Sequence, residues 1–245
     1  MSYSWVIIQF RSHGDDTKAT LNQNPAVWVN TMPKNQNRSS LVVNLMKKIS
    51  FEAKTALPTK WGLFSIHAVK SEFPEFPHMA LVAEGTRISD QTDPVNVRIH
   101  SECMTGDLFG STRCDCGEQL DFSMEYLALH GGVLLYLRQE GRGIGIVNKL
   151  KAYNLQDEGM DTFQANRELG FHDDERDFSV AVNILDTLDI RFINLITNNP
   201  NKLSIFEESG IRVVDRIPVE TSPNQINLKY LRAKKKFHGH FLSKI

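Results

Sequence analysis

Gly131-Gly-Val-Leu-Leu-Tyr-Leu-Arg-Gln-Glu-Gly-Arg-Gly-Ile-Gly145 is the stretch from which the fold is read. Gly132 to Leu137 is a continuous apolar run, the pattern of a buried strand. It breaks into a loop with glycines at 141, 143 and 145. The spacing from Ile144 to Leu155 then predicts a helix. A buried strand that hands a glycine-rich turn to a helix is the unit from which sheets covered by helices are built.

Working outward, Leu120, Met124 and Leu127 give helical spacing over Gln119 to His130, and Gly131-Gly132 ends it. Asp161 and Gln164 form a capping pair for a helix that stops at Gly170. Phe178 to Leu188 reads as a helix and Phe192 to Thr197 as a strand. Asn201 to Glu208 reads as a helix stopped by Gly210, and Ile211 to Val214 as a strand. The basic tail, Asn227 to Leu242, is expected to be helical. Upstream, Phe64, Ile66 and Ala68 alternate with polar neighbours, and Met79 to Ala83 and Val95 to Ile99 continue the strand pattern. The expected class is a mixed α/β (α+β) fold: a mixed sheet flanked by helices, more purely stranded in its first half. Residues 1–55, rich in asparagine and weakly periodic apart from Val27 to Val29 and Leu41 to Met46, read as a poorly ordered or loosely attached extension. Residues 56–245 form the expected domain.

The 245 residues are 41% hydrophobic, enough for a substantial core. Lysine plus arginine total 28 against 29 acidic residues, a net charge of −1. That balance argues against broad attraction to nucleic acid or to an anionic membrane, so anion binding must come from local placement of charge. No apolar run approaches the roughly 20 residues that span a bilayer. No basic residue precedes the short apolar stretch Trp5 to Ile8, so no secretory signal is read and the cytoplasm is expected.

The cysteines, Cys103, Cys114 and Cys116, are confined to one window. An odd count argues against a disulfide framework. Cys114 and Cys116 project to one side of a turn, and a ten-residue loop returns Cys103 to them. Zinc prefers such thiolates in tetrahedral array, and three of them leave one position for water, as in a catalytic site. A structural site would need a fourth ligand, for which His100 or His130 could serve. His100-Ser-Glu102 supplies the H-x-E of zinc deaminases, but no C-x-x-C follows, so that signature fails.

After the strand, the glycines at 141, 143 and 145 let backbone N–H groups converge on an anion at a helix N-terminus, and Arg138 and Arg142 add donors suited to phosphate. Taken alone, Asp173-Asp-Glu-Arg176 reads as a solvated charge run. Thr197-Asn-Asn-Pro-Asn-Lys202 reads as a capping turn between strand and helix, and Lys234-Lys-Lys236 as a solvated helix face.

Together, Arg98-Ile-His-Ser-Glu-Cys-Met-Thr-Gly-Asp107, Arg113-Cys-Asp-Cys-Gly-Glu-Gln-Leu120, Arg138 to Gly145, Asn148-Lys-Leu-Lys-Ala-Tyr-Asn-Leu-Gln-Asp157, Asp174-Glu-Arg-Asp177 and Thr197-Asn-Asn-Pro200 resemble GTP cyclohydrolase II. The resemblance runs from about Trp61 to the C-terminus. It implies that Cys103, Cys114 and Cys116 bind catalytic zinc. It implies that Arg98, Ile99, His100, Ser101, Glu102, Gln119, Glu140, Gly141, Arg142, Thr162, Thr197 and Lys202 bind GTP. Asp174 matches a proton acceptor, Arg176 a nucleophile toward the α-phosphate, and Tyr153 an active-site tyrosine. Magnesium with the pyrophosphate and a homodimer are also implied. Ala233 stands where the family usually has threonine, and Phe237 where it has lysine. A zinc-stabilised nucleotide-binding module without turnover is the alternative, and another zinc hydrolase of purine nucleotides a further one.

Overall fold

Val133, Leu135 and Leu137 join one buried cluster and Leu134 another, as alternate residues of a pleated strand must when both faces are covered. These residues lie in β5 (Val133–Leu137), near the middle of a seven-stranded sheet. The computed structural model describes residues 49–70, 75–88 and 93–245; Val27 to Val29 and Leu41 to Met46 lie outside them.

Four strands precede β5: β1 (Phe51–Pro58), β2 (Leu63–Val69), β3 (Met79–Ala83) and β4 (Val95–Ser101). Two follow, β6 (Phe192–Ile196) and β7 (Arg212–Ile217). The spatial order is β1-β2-β3-β5-β4-β6-β7. The β1-β2-β3-β5 side is antiparallel, whereas β5-β4-β6-β7 is parallel. The mixed sheet flanked by helices is therefore as read, with the antiparallel half contributed mainly by the stranded first half of the chain. β1 crosses the expected boundary at residue 55.

The helices are α1 (Met104–Asp107), α2 (Cys116–His130), α3 (Gly145–Asp157), α4 (Thr162–Glu168), α5 (Ser179–Thr187), α6 (Asn201–Ser204) and α7 (Leu228–His238). α2 covers one face through Met124 and Leu127, packed with Phe64, Leu81 and Leu134. α5 covers the other through Ala181, Ile184 and Leu185, packed with Val97, Ile99, Leu135 and Leu195. Burying each such large aliphatic side chain contributes about 1.5–3 kcal/mol. The capping box at Asp161 and Gln164 is present, and Gly131 closes α2.

α6 stops at Ser204 rather than running to Glu208. Beyond it the backbone bonds tighten to a three-residue span, Phe206 N–H to Leu203 O and Glu207 N–H to Ser204 O. That tightening accompanies the burial of Phe206 in the α5-side core, with Leu203 and Ile205 packed against it. Gly132 has φ +140, and a Cβ there would lie 2.3 Å from Asn96 O, so only glycine lets β5 start against β4.

Candidate active site

β4, β5 and β6 run parallel, so their carboxyl ends share one edge of the sheet, where ligands of open α/β sheets collect. Glu102 and Cys103 leave β4 there, Arg138 leaves β5, and Thr197 leaves β6.

The cysteines converge because two glycines allow the chain to touch itself. A Cβ on Gly106 would stand 3.0 Å from Cys114 Sγ and 3.2 Å from Cys103 Sγ; one on Gly117 would meet Gly106 O at 2.5 Å. Side chains at either place would push α1 off the start of α2. With both absent, Cys103 Sγ lies 3.6 Å from Cys114 Sγ, and the three sulfurs are all within 4.8 Å of one another. A tetrahedral zinc with sulfur at about 2.3 Å holds its thiolates about 3.8 Å apart, so the donor set and spacing fit that ion. Among the described residues no fourth histidine, cysteine or carboxylate joins the group. His100 is instead engaged by Asp107, at 3.1 Å, and stacks on Tyr136. His130 ends α2, about 21 Å along the helix from Cys116.

The sulfurs shift one another's protonation. Hydrogen bonds from the Cys114 and Cys116 thiols, with the Lys149 ammonium, hold Cys103 far below the usual thiol range. The Cys103 sulfur in turn pushes Cys114 up to about 11 and Cys116 well above the ordinary thiol value. A coordinating divalent cation reverses this, since a thiol that ligates a metal is deprotonated.

The surrounding groups fix the ligands. Lys149 Nζ lies 3.0 Å from Cys103 Sγ and 2.8 Å from Glu140 Oε1. Glu140 also accepts from the Met104 and Gly141 N–H groups. Asp107 accepts from Cys103 N–H at 3.0 Å and from the Tyr136 hydroxyl at 2.9 Å. The Glu140–Gly143 turn is tight: Gly141 and Arg142 both have left-handed φ, 62° and 63°, and for Arg142 that is a strained conformation. The turn aims Arg142 across Phe163.

The cysteines border a cleft of about 690 Å3, its open mouth included, with Glu102, Arg142, Tyr153 and Thr162 around it. A second, basic recess of about 630 Å3 adjoins it, and Ser101, Cys116, Arg142, Arg176 and Tyr230 line both. In the recess, Arg98 donates to Ile196 O and to Gln119 Oε1, at 3.0 and 2.7 Å, while its Nε has no partner among the described residues. Burial lowers Arg98 to about 10. Lys202 donates to Ile99 O at 2.8 Å. Burial, then the charges of Arg98, Arg176 and Lys234, drives Lys202 well below the ordinary lysine value. Cations crowded in this way are an anion site.

Residues 50–218 match the GTP cyclohydrolase II family. The chain belongs to that family. It is 46% identical over 200 residues to the GTP cyclohydrolase-2 of Haemophilus influenzae (strain PittGG), covering 80% of this chain and 91% of that one. It is 48% identical over 200 residues to the GTP cyclohydrolase-2 of Histophilus somni (strain 2336), covering 80% and 90%. It is 46% identical over 198 residues to the riboflavin biosynthesis protein RibBA of Chlorobium phaeovibrioides, covering 80% of this chain and 48% of that longer one. A solved structure, the two-domain 3,4-dihydroxy-2-butanone 4-phosphate synthase RibBX from A. baumannii, aligns with a TM-score of 0.42 at 16% identity, covering 75% of this chain and 44% of its own.

In this cyclohydrolase-family chain, most sequence-expected site residues come together. Ser101, Glu102, Glu140, Gly141, Arg142, Tyr153, Thr162 and Arg176 line the cysteine cleft, and Arg98, His100, Gln119, Thr197 and Lys202 line the recess. The Ile99 side chain does not reach either; it is buried in the α5-side core and offers only its carbonyl, to Lys202. Asp174 stands behind the cleft, gripping Arg176 through Nε at 2.7 Å and Nη2 at 2.5 Å. The charge run is thus only partly solvated: Asp173 pairs with exposed Arg167, while the Asp174–Arg176 pair is largely buried. Burial would raise Asp174, but Arg176 outweighs it and holds the carboxyl below its usual range. The lysine run is a clearer departure, since Lys234 is buried against Asp115 rather than solvated.

Sequence reading gave no role to Lys149, Asp107, Asp115 or Tyr230. One signal was available for Lys149: it precedes Tyr153 by four residues, so both project from the same side of α3.

Proposed function

We propose that this chain hydrolyses GTP: it opens the imidazole ring of guanine, releases formate and pyrophosphate, and leaves a diamino-pyrimidinone ribosyl phosphate, the first step of riboflavin biosynthesis. The observation that carries this reading is the continuity of a three-sulfur cluster with a recess crowded by cations. One end suits a metal beside a base and the other suits phosphates.

Cys103, Cys114 and Cys116 would hold zinc, which when bound lowers the pKa of a water and acts as a Lewis acid toward the purine. C8 of guanine, between two nitrogens, is the electrophilic carbon and belongs over the sulfurs. The Tyr153 hydroxyl, 3.4 Å from Thr105 Oγ1, is raised by burial and stays a phenol able to donate or accept at the opening ring. Arg142 and Lys202, with magnesium on the triphosphate, would balance the charge of the departing pyrophosphate.

A guanidinium is protonated in proteins, and Asp174 grips that of Arg176 from one side. The geometry favours Arg176 as a charge-stabilising donor to the α-phosphate over Arg176 as a nucleophile. A carboxylate held this low is a weak base at neutral pH, which favours Asp174 as the group that orients Arg176. We further propose a cytoplasmic homodimer. Among the described residues no helix is long and apolar enough to cross a membrane.

Incubation of the purified chain with GTP, zinc and magnesium tests the reading. Formate and pyrophosphate should appear in equal amounts, with a change in absorbance as the purine opens. Tight GTP binding without formate would favour the non-catalytic module instead.

A further inference from the structure

Lys234 lies on α7. Its neighbours Lys235 and Lys236 are exposed, but Lys234 is buried. Helical periodicity accounts for the difference: Asn227, Leu231 and Lys234 share one face, and Asn227 and Leu231 are buried too. An ammonium removed from water is strongly unfavourable without a counter-charge. Here the counter-charge is Asp115, the residue between Cys114 and Cys116.

Asp115 Oδ1 accepts from Lys234 Nζ at 2.6 Å, and Oδ2 accepts from Gln119 Nε2 at 2.5 Å. Asp115 directly precedes α2, the position from which an aspartate ordinarily caps a helix. Its side chain makes no cap hydrogen bond. The carboxylate is engaged by the C-terminal helix instead, across 119 positions of sequence.

We propose that Lys234 is a positioning residue: bonded to Asp115, it fixes the turn that carries Cys114 and Cys116 and so sets the geometry of the metal those sulfurs hold. The proposal rests on the metal reading given above. Asp115 is joined directly to Cys114 on one side and to Cys116 on the other. A restraint on Asp115 therefore reaches both ligands through a single peptide bond each. The tail is itself secured, since Phe241 N–H donates to Asn198 O at 2.9 Å and Ser243 N–H to Glu220 at 2.8 Å.

The test is a cobalt titration of the metal-stripped full chain, reading affinity and the sulfur-to-cobalt and ligand-field bands, alongside kcat and KM for GTP. Lys234→Met should weaken cobalt binding roughly ten- to a hundredfold, the usual effect of losing a partner that orients a ligand. It should also shift the ligand-field bands and lower kcat more than it raises KM. Lys234→Arg should restore most of the affinity, and Lys236→Met, on the exposed face of α7, should match the parent. Should Lys234→Met fail to fold because Asp115 is left buried and unpaired, the double variant Lys234→Met/Asp115→Asn removes both charges and is read in the same way. Parental affinity and spectrum in either variant would overturn the role of Lys234 alone. A parent chain that takes up no cobalt would overturn the metal reading, and the proposal with it.

Discussion

On the cysteine side of the cleft, three sulfurs lie within 4.8 Å of one another, and the nearest cation is the Lys149 ammonium, 3.0 Å from Cys103. On the basic side, Arg98 and Lys202 are buried and Arg176 stands close by; burial lowers both Arg98 and Lys202, and the charges of Arg98, Arg176 and Lys234 lower Lys202 further. One side gathers sulfur donors that a divalent cation would bind as thiolates; the other gathers cations whose charge phosphates relieve. Neither arrangement is self-sufficient, and the two share Arg142, Arg176 and Cys116 as common wall. A site selected for stability alone would have paired these groups with one another. Their separation is what lets one substrate span both, with base at the sulfurs and phosphates at the cations.

The contrast can be broken from either side. The largest effect should come from Cys114→Ser, which removes one of the three sulfurs: the chain should lose its metal and release formate no faster than background, while retaining measurable GTP binding through the basic recess. Loss of GTP binding to the same extent as turnover would mean that the two sides are not independent.

A smaller effect should follow from Arg142→Ala. A charged hydrogen bond contributes about 1.5–3 kcal/mol, so KM for GTP should rise roughly ten- to a hundredfold. Metal content should be unchanged. A fall in metal content would place Arg142 with the sulfurs rather than the phosphates.

The smallest effect concerns protons. Lys202 is lowered by burial beside Arg98, Arg176 and Lys234, so the free chain holds its proton weakly. Phosphate charge restores the ordinary preference for the ammonium. Pyrophosphate binding should therefore take up a fraction of a proton, growing as pH rises toward the ordinary lysine value. Calorimetry in two buffers of different ionisation enthalpy reads this directly, and Lys202→Met should abolish the uptake. Identical apparent enthalpies in the two buffers would remove Lys202 from the account.

Much of this arrangement could be read before any coordinates. The cysteine window was legible because its ligands fall within a few residues of one another, and local geometry limits where they can go. The apolar run Val133 to Leu137 and the capping pair Asp161 and Gln164 were legible for the same reason: each pattern is local. β1 was not, because it is an edge strand whose residues are largely exposed: the alternation of Phe51-Glu-Ala-Lys54 is short and is lost over Thr55-Ala-Leu-Pro58. The burial of Lys234 was illegible for a different reason. A lysine run looks the same whether one member meets an aspartate 119 positions away or none does. The same holds for Lys149, whose partners Cys103 and Glu140 come from two other segments.

The most direct test follows formate release from GTP while metal-stripped chain is reloaded with zinc in measured steps. Release should be absent without metal, rise in proportion to bound zinc, and saturate at one zinc per chain. Formate at the full rate from chain shown to hold no metal would contradict the role of zinc.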